Sequence, residues 1–347
     1  MSRVWLLPAL AVVGAVGFVL AVALGPVSVP LVDTALVLVG AEPSDPRWTV
    51  VIGSVRLSRA ITAALVGAAL GVAGLLMQTL FRNPLADPYV LGVSSGASLG
   101  MAVFLATTTA AAFGATFGSG LVGAGRLGAV AAAAIGATAV MALVLMLARW
   151  ARSAVTLLII GVMIGAVTSA MISLVLVWTD PRIAQQFFVW GLGSVDATTR
   201  DDLPVFATAI GLGLGLSVLL VKSLNALLLG DGYARSMGVD VGRVRIGASV
   251  SAGLLAGAVT AFCGPIAFIG IAIPHLARLA IGTSDHRVLL PATALVGAIT
   301  ALACSIVSHP PGSETVIPLN VVTSLAGAPV VIVVLLRSRR LAAGAVV

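Results

Sequence analysis

Apolar runs of 16 to 25 residues, separated by short stretches rich in charge, proline or glycine, divide the chain from end to end. The runs are 4–25, 60–81, 89–113, 127–148, 154–178, 203–221, 247–263, 266–281, 288–308 and 319–336. An apolar helix of about 22 residues rises roughly 33 Å, enough to cross the hydrocarbon layer. Ala60 to Phe81 has that length, which sets Arg56 and Arg59 at one membrane face and Arg82, Asn83 and Asp87 at the other. The run 266–281 is the shortest and carries Pro274, His275 and Arg278. The pattern predicts an all-α polytopic membrane protein with about ten transmembrane helices. They form a single transmembrane domain over 1–347, with both termini on one side.

Composition supports this reading: 60% of the residues are hydrophobic and 9% charged, with a mean hydropathy of +1.17, whereas soluble domains carry about 25% charge. The formal charge of +7 is dispersed between apolar runs and not gathered into a patch with interleaved aromatics, so nucleic acid is not an expected partner. Placing the amino terminus in the cytoplasm puts 13 of the 19 basic residues inside and eight of the twelve acids outside. Because Lys and Arg favour the cytoplasmic side, that orientation is preferred. The first run is too long for a signal-peptide core, so it reads as a retained span. Cys263 and Cys304 lie in apolar runs without a neighbouring thiol and read as small buried fillers.

Small residues mark where helices come close. Gly67, Gly71 and Gly74 fall on neighbouring turns of the second run, and Gly92, Gly96 and Gly100 make two consecutive G-x-x-x-G steps on the third. In lipid such seams let backbones touch, so these two helices are expected inside the bundle. There is also a faint internal repeat. Arg56/Arg59, a span and Asn83-Pro84-Leu85 are echoed by Arg243/Arg245, a span and Gly264-Pro265-Ile266. The two units start on opposite sides, as in an inverted-topology duplication.

Chemistry is conspicuous mainly for what the sequence omits. No G-x-x-x-x-G-K-[ST] loop occurs, and the single lysine, Lys222, is followed by Ser-Leu, so the chain is not itself a P-loop ATPase. There is no H-E-x-x-H, and every Asp and Glu falls in a predicted loop or within a few residues of a span end. An intramembrane enzyme therefore has no catalytic grouping to use. An ion-gradient-driven secondary transporter, the main alternative of another class, lacks its mid-membrane carboxylates. The energy is expected from a partner. Lys222 to Arg245 is the longest connection on the cytoplasmic side, and Asp231 to Met237 can form a short helix closed by Gly238 at C′, a stiff knob that a soluble subunit can grip.

Read together, R-L-x-R at Arg56–Arg59, V-G-A-A-L, Q-x-L-x-R-N-P-L-A-D-P from Gln78 and L-G-x-S-S-G-A from Leu91 form an ordered set. Further along come Trp190-Gly191-Leu192-Gly193-Ser194, G-P-I-x-F-x-G-x-x-x-P-H-x-x-R from Gly264, Asp285-His286-Arg287 with Pro291, and Gly327-Ala328-Pro329. In this order the motifs resemble the permease subunits of the ABC importers for iron–siderophore complexes, haem and vitamin B12, the type II importers. The resemblance implies a cytoplasmic coupling loop at Gly230, Ala234, Arg235, Met237 and Gly238, where Met237 replaces the usual Leu. It implies inner gates at Asn83 and Leu85 and at Ser153, the latter in a weakly matching loop. It also implies docking of an extracytoplasmic binding protein at Arg56 and Arg59. The family's third docking arginine is replaced here by His309, and its D-x-x-x-R aspartate by Ser305.

For Arg56 and Arg59 the plainer alternative is interfacial anchoring of the second span, and for His275 a structural role. For the coupling loop it is a solvated turn carrying positive-inside charge. The implied assembly is a homodimer, or a pair with a close paralogue, in a prokaryotic inner membrane, with two cytoplasmic ATPase subunits that bind ATP and Mg. The chain itself binds no cofactor or metal, is not an enzyme, and has a ferric siderophore as first-choice substrate with cobalamin or haem as alternatives.

Overall fold

The computed structural model describes residues 5–27, 29–107, 124–148, 150, 154–313 and 315–343, and among these all regular structure is helical. Ser153 and residues 108–113 of the third run lie outside the described residues. Each of the ten runs contains a helix. These are α1 Leu6–Ala23, α3 Arg47–Phe81, α4 Val93–Thr107, α5 Ala124–Ala148, α6 Ala154–Val177, α8 Leu203–Leu219, α11 Val241–Cys263, α12 Ile269–Ile281, α13 His286–Ser308 and α14 Leu319–Ala343. Among the described residues four shorter helices connect them: α2 Leu31–Leu38, α7 Pro181–Gly191, α9 Val221–Leu228 and α10 Asp231–Ser236. Six helices among the described residues are long and apolar enough to cross a membrane. A seventh crossing is possible if α8 and α9, bent by 53°, form one span, while α4, α12 and the apolar part of α14 are shorter. The helical fold is as expected, and a count of ten full crossings goes beyond these lengths.

The second run begins earlier than its hydropathy suggested. α3 starts at Arg47 and continues through a π-helical segment, Val51–Arg56, into the regular helix Leu57–Phe81. No proline interrupts 47–60, and Val50, Val51, Ile52 and Val55 keep the stretch apolar, so Arg56 and Arg59 do not end the helix as isolated charges would suggest.

α3 is the axis of the bundle and packs against α13, α11, α12, α8 and α1. Of its most apolar stretch 83% of the residues are buried, against 17% for α6, which separates a core helix from one whose apolar surface faces outward. The expected glycine seams account for the contact. A methyl built on Gly67 would lie 2.0 Å from Gly297 O, and one on Gly74 would lie 1.8 Å from Gly270 O. Gly96 and Gly100 meet Gly136 and Ala132 of α5 in the same way, at 2.5 and 2.0 Å from their carbonyl oxygens.

Two breaks interrupt the helical order, and they correspond. α3 ends at Arg82, and the chain then runs through 83–87 and a 3-10 turn, Pro88–Leu91, to the short α4. α11 ends at Cys263, and 264–268 lead to the short α12. Each break holds a non-glycine residue at positive φ, Arg82 (47°) and Phe268 (68°), and among the described residues there are no others. Left-handed conformations are costly for residues with a Cβ, so both positions must be held by their surroundings. The sequence of long helix, break and short helix therefore recurs in the two units that showed the faint repeat.

Non-helical backbone within an apolar bundle needs its polar groups paired. At the second break Ile266 N donates to Tyr89 Oη (3.3 Å) and Ala267 N to Asn320 Oδ1 (2.9 Å). The Asn320 amide in turn donates to Pro265 O (2.7 Å) and Gly191 O (3.2 Å).

Candidate gate and coupling site

The residues singled out by motif gather at the two ends of the bundle. At one end, the last turn of α3 closes with Arg82 in the left-handed conformation: Asn83 N donates to Gln78 O (3.2 Å) and Arg82 N to Thr79 O (3.4 Å). This is a Schellman-type cap with arginine in the place glycine usually takes. The next residues form a compact turn in which Asn83 Oδ1 accepts from Leu85 N (3.0 Å) and Asn83 O from Ala86 N (3.0 Å). Leu85 is exposed at the tip. Asp87 caps the following 3-10 turn by accepting from Tyr89 N (2.8 Å). Desolvation there pushes its carboxyl up to about 6, partly opposed by that hydrogen bond.

α12 holds this end from one side. Arg278 donates to Gln78 Oε1 (2.9 Å), Gln78 Nε2 donates to Ile271 O (3.1 Å), and His275 Nε2 donates to Pro84 O (2.8 Å). The motif P-H-x-x-R is thus the partner of Q-x-L-x-R-N-P, across about 200 residues of sequence. His275 is a buried structural histidine, as its sequence context indicated.

The segment α9–α10 holds it from the other side. Asn225 on α9 donates through Nδ2 to Asp285 Oδ1 (2.6 Å), and its Oδ1 accepts from His286 N (2.9 Å) and Nδ1 (2.8 Å). Since Asn225 Oδ1 can only accept, the His286 proton sits on Nδ1, and Nε2 faces the Thr79 hydroxyl at 2.8 Å. Asp285 also caps α13 by accepting from Arg287 N, which together with Asn225 holds its carboxyl below the usual range.

Beyond α9, Gly230 turns at φ 111° into α10. That helix ends as the sequence suggested. Gly238 (φ 80°) sits at C′, its N–H donating to Arg235 O (2.9 Å), while Val239 N donates to Ala234 O (3.0 Å), a full Schellman motif. Ala234 is buried, whereas Tyr233, Arg235, Met237 and Gly238 face outward. Asp231 turns inward and pairs with Arg82 (2.7 Å) and Arg245 (2.5 Å).

At the opposite end, Arg56 and Arg59 are only 3% and 4% exposed. Arg56 donates to Ala23 O (2.6 Å), Val22 O (3.4 Å) and Val27 O, and Arg59 to Ala21 O (3.3 Å) and Leu24 O (3.1 Å). These include the last carbonyls of α1, which lack helical donors and carry the negative end of the helix dipole. In this conformation the two guanidiniums are therefore engaged in capping α1. His309 is also buried, its Nε2 2.8 Å from Asp196 and its Nδ1 3.0 Å from Ser305 O. It borders a cavity of about 200 Å³ beside Ser194, Asp196 and Ser308. The structure thus places the sequence-derived residues in two groups: Asn83 and Leu85 beside Gly230–Gly238, and, at the opposite end, Arg56 and Arg59 on α3 with His309 at the end of α13.

Three residues that the sequence reading passed over matter to this arrangement: Asp231, Asn225 and Asn320. A signal for Asp231 was available, since it is an acid at the start of a six-residue helix flanked by basic residues. Among the described residues no three His, Cys, Asp or Glu side chains cluster as metal ligands, and Cys263 and Cys304 are buried and not joined in a disulfide.

Comparison with known proteins adds the family context. The model of the FecCD transport family matches residues 12–337. The chain is 33% identical over 302 residues to the hemin transport system permease protein HmuU of Yersinia pestis, covering 87% of each. It is 35% identical over 297 residues to the vitamin B12 import system permease protein BtuC of Citrobacter koseri, covering 85% of each. Among solved structures it resembles one described as an inward-facing metal-chelate type ABC transporter, with a TM-score of 0.82 and 27% identity over 96% of this chain and 99% of that one.

Proposed function

The chain belongs to the FecCD transport family, and from that premise we propose that it carries a ferric siderophore or related metal chelate inward across a prokaryotic cytoplasmic membrane. It is a permease subunit of the ABC importer type. In the proposed assembly two cytoplasmic ATPase subunits, which bind ATP and Mg²⁺, grip the outward face of α10 around Arg235, Met237 and Gly238. An extracytoplasmic binding protein meets the end that holds Arg56, Arg59 and His309. There the two arginines act by fixing the end of α1 and the loop after it.

The observation that carries this reading is the bonding between knob and turn. α10 is tied by Asp231 to Arg82 at the end of α3, and α9 by Asn225 to His286, which faces Thr79 in the last turn of α3; the exposed Asn83–Leu85 turn projects from there. A stiff exposed knob linked to a turn at the mouth of a helical bundle suits gating by a soluble motor. We place a second copy of the chain against α6, whose outward side carries Ala166, Ser169, Ala170 and Ser173, small residues that allow close helix contact and leave hydroxyls toward a passage. Both termini lie in the cytoplasm in this arrangement, in keeping with the distribution of basic residues.

The names of the relatives include hemin, vitamin B12 and metal chelates at similar identity, so identity alone does not rank these ligands. The test is ATP-driven uptake by proteoliposomes containing the chain with its ATPase and binding protein, offered a ferric hydroxamate chelate, haemin or cyanocobalamin. Saturable uptake of the ferric chelate in preference to the other two is expected. Preference for haemin or cyanocobalamin overturns the substrate assignment, and the absence of ATP-dependent uptake of all three overturns the importer reading.

A further inference from the structure

Arg82 stands immediately before the Asn83–Leu85 turn, and its backbone is held in the left-handed region at φ 47°. Its guanidinium crosses to α10, donating to Asp231 Oδ1 at 2.7 Å and to Leu227 O at 3.4 Å. The other oxygen of Asp231 is taken by Arg245 of α11 at 2.5 Å. One carboxylate at the first residue of the knob therefore joins the end of α3 to the start of α11. Gly230 turns the chain at φ 111° directly before Asp231, and a methyl built there would make only ordinary contact with the Arg82 guanidinium, at 3.7 Å. The face of α10 turned toward the bundle holds Asp231 and Ala234, and the face turned outward holds Tyr233, Arg235 and Met237.

Partly exposed ion pairs of this kind contribute little to folding stability, but a bifurcated carboxylate between two guanidiniums fixes direction as well as distance. We propose that Asp231 is the joint through which displacement of α10 reaches the Asn83–Leu85 turn, acting on Arg82, while Arg245 keeps the joint seated on α11. Asp231 and Arg82 are positioning residues. In the proposal they act on the turn and not on the cargo. The separate link through Asn225 and His286 anchors α9 to α13 and Thr79, so α10 has a fixed base to pivot from. The inference rests on the coupling role proposed for Gly230–Gly238 and adds the route by which the coupling acts.

The test uses the full complex with its ATPase subunits, carrying a spin label on Leu85→Cys, whose native side chain is exposed. The label spectrum is recorded before and after trapping with ATP, Mg²⁺ and vanadate, and normalised to trapped nucleotide. The parent complex should show a clear change at position 85. R82Q and D231N should each reduce that change at least fivefold per trapped nucleotide, the double variant should be no worse than either single one, and R82K should recover at least half. Responses in R82Q and D231N within twofold of the parent overturn the joint. If the parent binds no ATPase, or its label ignores trapping, the coupling role itself fails and the joint falls with it. Trapped nucleotide in each variant reports that the complex has assembled, so a misfolded variant is recognised directly.

Discussion

Replacing Gly67 by alanine should destabilise the protein although it adds a single methyl group of good helix propensity. The methyl would lie 2.0 Å from Gly297 O and 2.7 Å from the Cβ of Ala301, where ordinary contact requires at least about 3.4 Å, so α3 and α13 must part by roughly 1.4 Å. The seam continues at Gly71, whose methyl would lie 2.9 Å from Ile273 Cγ2 and 3.2 Å from Thr293 O, and the separation would spread along it. Overpacking of this size costs about 1–3 kcal/mol, offset by up to about 1 kcal/mol from the helix preference of alanine over glycine. Gly211 provides the matched control, because a methyl there meets nothing within 4 Å and G211A should be neutral or slightly stabilising. Thermal unfolding in detergent, followed by fluorescence-detected size exclusion, should give G67A a midpoint roughly 3–8 °C below G211A. Equal midpoints would refute the close-packed seam.

Three further substitutions probe other parts of the account. R56Q removes charge-assisted bonds to three carbonyls around the end of α1 and should cost roughly 2–4 kcal/mol; an unchanged melting point together with lost affinity for the binding protein would instead make Arg56 a contact residue. D87N keeps the cap on Tyr89 N and removes a carboxyl whose folded pKa, about 6, lies above its ordinary value of 3.8. The stability contributed by its proton is full below pH 4 and lost as pH rises through 6. D87N should therefore gain about 1–3 kcal/mol over the parent at pH 7.5 and nothing at pH 4, and a pH-independent difference between the two would contradict the burial. N320A leaves Ala267 N, Pro265 O and Gly191 O without their partner and should lower stability by about 2–3 kcal/mol, with a melting point unchanged from the parent as the contrary result.

Much of the bundle was legible in the apolar pattern, because a helix in lipid must satisfy its backbone internally and be long enough to cross. The glycine seams on α3 and α4 and the capped knob at Gly238 were legible for a similar reason, since each depends on spacing within one helix. What could not be read is the pairing of distant segments. Gln78 with Arg278 and Pro84 with His275 are separated by about 200 residues, and spacing carries no information on which motifs meet. Arg56 and Arg59 look like surface charges in sequence, because nothing local reveals that α1 ends beside them with unpaired carbonyls. Arg82 and Phe268 escape notice because a left-handed position is normally announced by glycine, and here tertiary contacts impose it instead.

The central claim is that the chain is a conduit whose motor is a separate molecule. It is tested most directly by comparing proteoliposomes that contain the chain alone, under imposed proton and sodium gradients, with liposomes that also hold its ATPase and binding protein and are supplied with ATP. The account predicts uphill accumulation of the ferric chelate only in the complete, ATP-fuelled system. Accumulation by the chain alone, driven by either gradient, would contradict it.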